Sequence, residues 1–358
     1  MDAHEKPLMS FVILAYNQER FVREAVESAF SQTYSPLEII LSDDCSSDST
    51  FEVMKQAAAS YCGGHQIILN RNSRNLGLAG HVNRVVKLGH GDLLIGAAGD
   101  DVSDPTRAQV IFEAWEDSHR RATSIVSNFQ GIDQNGRSLG ISSFIPRTNA
   151  SARFVHEPGD PLCYLRTRLP HVQGSTHAFS PRLFRIFGPL PENVVYEDGA
   201  LGFRSCLVGS FTFVPAPLVK YRLHDRKLFR PLRNLATSRT ALTTLEEQEL
   251  RELQRCVSLY ECFQHDLGTA LRDGHIDDAR HCTLVEAALQ ECTKYRLLVG
   301  LHSATGLRRL HFLTRLCRSG CSQREVLSLA PKALPLLAYR TLRLAKNTVR
   351  HLWPQPLA

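Results

Sequence analysis

The chain has 358 residues, 43% of them hydrophobic and 22% charged, with a formal net charge of +6 that is not confined to one run. This is ordinary globular composition, enough for one large domain and a smaller one. Such mild, scattered basicity suits phosphate-bearing ligands or an anionic membrane surface at least as well as nucleic acid, and no nucleic-acid partner is expected.

The opening "MDAHEKPLMS" has acids and a proline where a signal peptide needs a basic and then an apolar stretch. Residues 10–15, "SFVILA", form a continuous apolar run, the pattern of a strand buried on both faces. From Glu19 the apolar positions Phe21, Val22, Ala25, Val26, Ala29 and Phe30 recur at helical spacing. "LEIILSDD" at 37–44 reads as a second buried strand ending in acids, followed by a capping run "SSDST" and a helix over 51–59. A strand at 66–70, a helix over 80–88 and the strand "DLLIGAA" at 92–98 continue the alternation. Strands and helices joined by short connections predict an α/β layer with a mostly parallel sheet. In such sheets ligands bind beyond the carboxyl ends of the strands. Tyr16 with Asn17, Asp43 with Asp44, and Asp100 with Asp101 all follow strand ends directly, so three polar clusters converge on one edge.

Beyond Asp101 the pattern loosens. Residues 123–129 predict a strand, "DQNG" at 133–136 a hairpin turn, and a proline-punctuated irregular region runs to about 190. "VVYEDGALGFRSCLVG" reads as a turn bearing Glu197 and Asp198, then a helix; "FTFVPAPLVKYRLH" reads as a strand closing on His224. From about 231 the texture is helical, with segments near 242–257, 276–299, 305–318 and 331–351, giving a division into 1–228 and an all-helical 229–358. No apolar run reaches the length of a membrane-spanning helix. The ten cysteines contain no CxxC pair, and Cys317 with Cys321 lacks a second cluster of zinc-like spacing, so free thiols in a reducing cytoplasm are expected.

Adjacent carboxylates repel and resist desolvation unless a cation compensates them. Asp100 and Asp101 therefore predict a site for a hard dication, Mg²⁺ or Mn²⁺, bridging carboxylate and phosphate oxygens. Helix capping accounts for Asp104, ahead of a helix expected from Pro105, but the pair lies too far upstream for that task. Capping by Ser46, Ser47 or Asp48 likewise leaves Asp43 and Asp44 to meet a nucleobase edge or a ribose hydroxyl. Glu197 and Asp198 suit a helix start by charge alone, and a carboxylate near a metal-bound ligand also serves as a general base. His224 is by itself a weak signal for a metal ligand.

Taken in order, "SFVILAYNQERFVREAVESAFSQTYSPLEIILSDDCSSDST", "NLGLAGHVNRVVKLGHGDLLIGAAGDD", "YEDGALGFR" and "PLVKYRLH" resemble the family 2 glycosyltransferases of the GT-A fold, over about residues 8–225. The resemblance implies inverting sugar transfer from a nucleoside-diphosphate donor, expected to be UDP-linked, to a saccharide or lipid-linked saccharide. It places Ala15, Tyr16, Asn17 and Gly77 in the nucleotide-sugar pocket, and Asp44, with Asp43, at the base. It makes Asp101 the metal ligand, Asp100 the contact to ribose or sugar, Asp198 of the ED motif the catalytic base beside Glu197, and His224 a helper at the diphosphate or metal. Three positions depart from the family pattern: Gly99 stands where many members have Asp, and Cys45 and Ser49 replace frequent glycines. The stretch 145–195 is expected on the acceptor side, with His171, Gln173 and His177 as candidate sugar contacts.

Two other readings use the same residues: a nucleotidyltransferase, for which the early turn "AYNQER" offers only Arg20 as a phosphate grip, and a silent nucleotide-sugar-binding module. In 331–353, Arg340, Arg343, Lys346 and Arg350 recur among leucines. That pattern fits a helix lying in a membrane interface, as for family members acting on lipid-linked glycans at the cytoplasmic membrane face, or a helix packed on its own domain.

Overall fold

A computed structural model of the chain describes residues 6–142, 152–168, 172–224 and 239–304, together with 311, 312 and 315. The chain forms two compact units: Met1–Pro231 with Cys262–Leu284, and Leu232–Glu261 with Val285–Ala358.

The first unit is built on a sheet of ten described strands. In chain order these are β1 (Met9–Ala15), β2 (Leu37–Asp43), β3 (Gln66–Arg71), β4 (Leu93–Ala98), β5 (Val102–Ser103), β6 (Ala122–Ile132), β7 (Ser138–Ser142), β8 (Val155–Pro158), β9 (His177–Phe179) and β10 (Ser210–Arg222). The main path runs β3-β2-β1-β4-β9-β6-β10-β5, with β7 on β6 and β8 on β10. The pairs β3–β2, β2–β1, β1–β4 and β6–β10 are parallel. Strand β9 is three residues long and antiparallel to both β4 and β6, so it joins two parallel blocks without reversing them.

Helices α1 (Val22–Phe30), α2 (Thr50–Ala59), α3 (Gly77–Leu88) and α4 (Arg107–Asp117) alternate with the first strands. The continuous apolar runs of β1 and β2 are buried along nearly their whole length. Phe11, Ile13, Ile39, Leu41 and Ile95 pack with Val22, Val26, Met54, Ile111 and Trp115 in one core. Each such side chain contributes roughly 1.5–3 kcal/mol by leaving water. The helix expected from Pro105 begins two residues later, because Asp104 closes a turn instead: it accepts from the Thr106 N–H at 2.8 Å. Helix α3 begins three residues earlier than its apolar spacing implies. Gly77 opens it at φ +70, and its N–H donates to Asn75 Oδ1 at 2.9 Å.

The region read as irregular holds α5 (Pro161–Thr167), a 3₁₀ turn (Gly174–Thr176), β9 and α6 (Arg182–Phe187), and then α7 (Glu197–Val208) follows. Strand order reverses between β1 and β4, since β2 and β3 lie on one side of β1 and β4 on the other. That reversal opens a crevice at the carboxyl ends of the two strands.

Helix α8 (Arg239–Arg272) starts in the second unit and its Cys262–Arg272 part belongs to the first; α9 (Asp278–Ser303) leads back to the second. In the second unit Leu253, Tyr295, Leu297, Leu298, Leu301 and Phe312 form an apolar cluster. Arg296 and Glu261 pair beside it at 2.7 Å. No helix among the described residues is long and apolar enough to cross a membrane. The basic segment 331–353 lies outside the described residues, as does most of 305–318. The described cysteines are free thiols.

Candidate active site

The crevice is a cleft of about 470 Å³. It gathers Ala15, Tyr16 and Asn17 from the end of β1, Asp44 from just after β2, Gly77 from α3, and Asp100 and Asp101 from just after β4. Gln173 and His177 come from the segment around the 3₁₀ turn, Glu197 and Asp198 from α7, and His224 from beyond β10. Of the residues singled out from the sequence, Asp43 does not line the cleft and His171 lies outside the described residues.

At the β1–β2 end two residues adopt left-handed backbone, Asn17 at φ +52 and Cys45 at φ +62. Asn17 braces the neighbouring loop: its N–H donates to Ser46 Oγ at 2.8 Å and its Oδ1 accepts from the Ser47 N–H at 2.9 Å. Asp43 is fully buried and serves the same loop, accepting from the Ser46 N–H at 3.0 Å and pairing with Arg71 at 3.4 Å. Asp44 accepts from Asn72 Nδ2 at 2.8 Å and from the Leu76 N–H at 2.9 Å, which fixes its carboxylate in the cleft lining.

Asp100 Oδ2 meets His224 Nε2 at 2.9 Å. Asp101 Oδ1 accepts from the Arg222 N–H at 2.9 Å. Behind them Arg222, itself buried, ties four pieces of chain together. Its Nε donates to the Asp100 carbonyl at 3.0 Å, Nη1 to that of Gln134 at 3.2 Å, and Nη2 to Glu24 at 2.8 Å. A second buried arginine, Arg107, holds the Gly96 carbonyl at 2.7 Å. Burial lowers its pKa to about 9, against the pull of the Asp101 charge, so it stays cationic at neutral pH. Asp101 thus feels the Arg107 charge, while Arg222 holds the pair through backbone groups and pairs its own guanidinium with Glu24. The carboxylate oxygens of Asp100 and Asp101 are hard donors of the kind that Mg²⁺ and Mn²⁺ take. Among the described residues no group of three or more His, Cys, Asp or Glu side chains is arranged to hold a metal by itself.

Gly99 departs from the acid that the family resemblance implies at this position. A Cβ there would lie 2.8 Å from Ala15 Cβ and 2.6 Å from Gln18 Oε1. The ends of β1 and β4 approach too closely here for any side chain.

In the same cleft Asp198 accepts from the Gly199 N–H at 2.6 Å and the Gly174 N–H at 3.2 Å. Glu197 is buried beside it, and burial, reinforced by the Asp198 charge, pushes its carboxyl well above the ordinary range. His177 is buried at the cleft wall with Nε2 at 2.8 Å from Ser124 Oγ; burial lowers its pKa to about 3, so its ring is neutral. Its hydrogen bonding inward leaves Gln173 as the more open of the two acceptor candidates, and Gln173 bonds the Tyr221 hydroxyl.

Tyr221 and His81 line the cleft although the sequence did not mark them. Tyr221 lies on β10 three positions before His224, and that spacing was the available signal. Burial first, and then the charges of Asp101 and Asp100, raise its phenol so that it stays protonated. His81 hides among small residues in α3, with Nε2 at 2.7 Å from Ser42 Oγ.

The sheet carries acids at the carboxyl ends of β2 and β4, as in a GT-A fold, and residues 10–178 match the profile of glycosyl transferase family 2. That match spans just under half of the chain, which is similar to the family over this stretch. It is 33% identical over 159 residues to a protein named as glycosyltransferase EpsE of Bacillus subtilis, a match covering 44% of this chain and 54% of that one. It is 28% identical over 245 residues to an uncharacterised glycosyltransferase of Rickettsia typhi, covering 68% and 70%. The chain therefore spans about half of the first relative and somewhat over two thirds of the second. Its fold is similar to that of S. aureus TarS, with a TM-score of 0.55 at 14% identity over 95% of this chain and 91% of the other. TarS has also been crystallised with UDP-GlcNAc, a structure that matches with a TM-score of 0.53 at 14% identity over 92% and 93% of the two chains.

Proposed function

We propose that the chain transfers a sugar from a nucleoside diphosphate, UDP being the expected nucleotide, to a saccharide or lipid-linked saccharide with inversion at the anomeric carbon. One observation carries this reading: a single cleft at the strand-order reversal is lined by Asp44, Asp100, Asp101 and Asp198 together. Ala15, Tyr16, Asn17 and Gly77 would frame the nucleotide, with Asp44 accepting from the base and Asp43 bracing the loop beneath. Asp100 would meet the ribose or sugar.

The residues fit a dication that draws most of its ligands from the donor, since Mg²⁺-type ions commonly use one or two carboxylates plus substrate phosphates. Asp101 would hold it, with His224 beside the diphosphate. When bound, such an ion supplies Lewis-acid neutralisation of the leaving diphosphate. The protein's own part is proton transfer and positioning. Asp198, oriented by the amides of Gly174 and Gly199, takes the proton of the attacking hydroxyl. Glu197, kept protonated by burial, adds no second anion at the point of attack. Gln173 and Tyr221 offer hydrogen bonds to the acceptor. For a lipid-linked acceptor, the basic segment 331–353 would bring the chain to an anionic membrane surface.

The test is incubation with a panel of nucleotide sugars, scoring release of nucleoside diphosphate and the anomeric configuration of the product by NMR. Asp198→Asn should lower kcat by about 10²–10⁴ while donor affinity stays within a factor of two or so. Retention of configuration, or full turnover by Asp198→Asn, would defeat the reading.

A further inference from the structure

We propose that Asp266, on the part of α8 that belongs to the first unit, is a positioning residue for the catalytic end of α7, acting through a buried ion pair with Arg204. This rests on the reading of Asp198 as the base. Both side chains are 0% exposed. The contact is fork-on-fork, with Nε at 2.8 Å from Oδ2 and Nη2 at 3.1 Å from Oδ1. Nη1 donates to the Gly188 carbonyl at 2.8 Å, and the guanidinium stands 5.4 Å from the Phe187 ring centroid and 5.7 Å from that of Phe184. Phe263, one turn before Asp266, packs on Phe203 with centroids 4.3 Å apart.

Stability alone is a poor reason for this arrangement. Apolar side chains of similar volume replace buried ion pairs with little loss, and often with a gain. What a bidentate pair supplies is a fixed angle and height. Arg204 lies six positions after Asp198 on the same helix (204 − 198 = 6), which at 1.5 Å per residue is about 9 Å along its axis. Fixing Arg204 therefore fixes the level at which Asp198 meets the Gly174 amide, which comes from a different segment. Displacement by about 1 Å at such a point can cost roughly 10² in rate. The other polar ties of α7 named here are single bonds, Tyr164 Oη to the Gly199 carbonyl at 3.1 Å and Ser205 to Ser124 at 2.7 Å, and neither constrains rotation as a fork does.

The experiment compares the full chain with Asp266→Asn and with the paired replacement Arg204→Met, Asp266→Leu. It follows the Glu197 carboxyl by NMR through pH and records the unfolding temperature of each protein. Glu197 sits on the first turn of α7, and its raised titration depends on staying buried there. Movement of that turn should lower its titration point by at least about one pH unit in Asp266→Asn. The same drop should persist in the paired variant even where that variant melts no lower than the natural chain. If Glu197 titrates unchanged in Asp266→Asn, or returns to its natural value in the paired variant, the pair serves stability only and the proposal is overturned. The titration does not depend on which group takes the acceptor proton, so failure of the base assignment would show separately, as full turnover by Asp198→Asn.

Discussion

Glu197 and Asp198 are neighbours in sequence, yet their surroundings give them opposite tasks. Asp198 faces two backbone N–H donors, whereas Glu197 is enclosed and pushed up by burial and then by the Asp198 charge. In the unfolded chain Glu197 loses its proton near the ordinary glutamate value, about 4.3. Between that pH and its raised folded value, the native state binds one proton more than the unfolded state. Stability contributed by this group is therefore complete below the unfolded value and is lost as pH rises, at no more than about 1.4 kcal/mol per pH unit. Glu197→Gln keeps the shape and removes the titration. Its melting temperature should gain on the natural chain as pH is raised from about 5 toward the raised folded value of Glu197. A difference that is flat across that range would mean that Glu197 ionises as freely in the fold as in water. His177 works in the reverse sense: its lowered pKa favours the fold above the unfolded histidine value, and that support fades as pH falls toward about 3.

At the level of strands, the departure at Gly99 has a packing cause. A Cβ placed there meets Ala15 Cβ at 2.8 Å, and Ala15 is the last residue of β1 with no freedom to withdraw. Gly99→Asp would not add a third acid to the site; it would force the ends of β1 and β4 apart. Gly99→Ala should already cost about 1–3 kcal/mol, the usual penalty of overpacking, read as a lower denaturation midpoint. Gly99→Asp should lose nucleotide binding as well; wild-type stability in the alanine variant would show that the strand ends yield.

The elements around this contact were legible because their signals are local: unbroken apolar runs for β1, β2 and β4, helical spacing for α1 and α7, and acids directly after strand ends. Strand β9 was not. Its three residues carry no period, and only pairing with distant β4 and β6 makes them a strand. Asp43 and Asp44 are alike in sequence, and only the fold separates the loop brace from the cleft carboxylate. The tie between Arg204 and Asp266 joins positions 62 apart, beyond the reach of any local pattern.

Across the first unit as a whole, charge decides how the cleft meets its donor. Asp44, Asp100, Asp101, Glu197 and Asp198 all line it, and with Glu197 protonated four carboxylates remain. The Arg107 charge offsets Asp101, Arg222 holds the pair by its backbone N–H and a bond to the Asp100 carbonyl, and His224 meets the Asp100 carboxylate. An arriving diphosphate changes the balance, because two like charges at about 4 Å oppose each other by roughly 4 kcal/mol in a partly screened site. Both arginines are already committed to protein oxygens, so neither can turn to meet the phosphates. A dication at Asp101 would turn that repulsion into attraction. Calorimetric titration with UDP and with GDP should therefore give, for at least one of them, a Kd tighter by about tenfold or more in Mn²⁺ than in EDTA, equal to 1.4 kcal/mol or more. Asp101→Asn should shrink that gap from both sides, weakening binding in Mn²⁺ by loss of a ligand and strengthening it in EDTA by loss of an anion. If both nucleotides bind the natural chain equally well with and without metal, the four carboxylates are not what the diphosphate encounters, and Asp101 loses its role as the ligand.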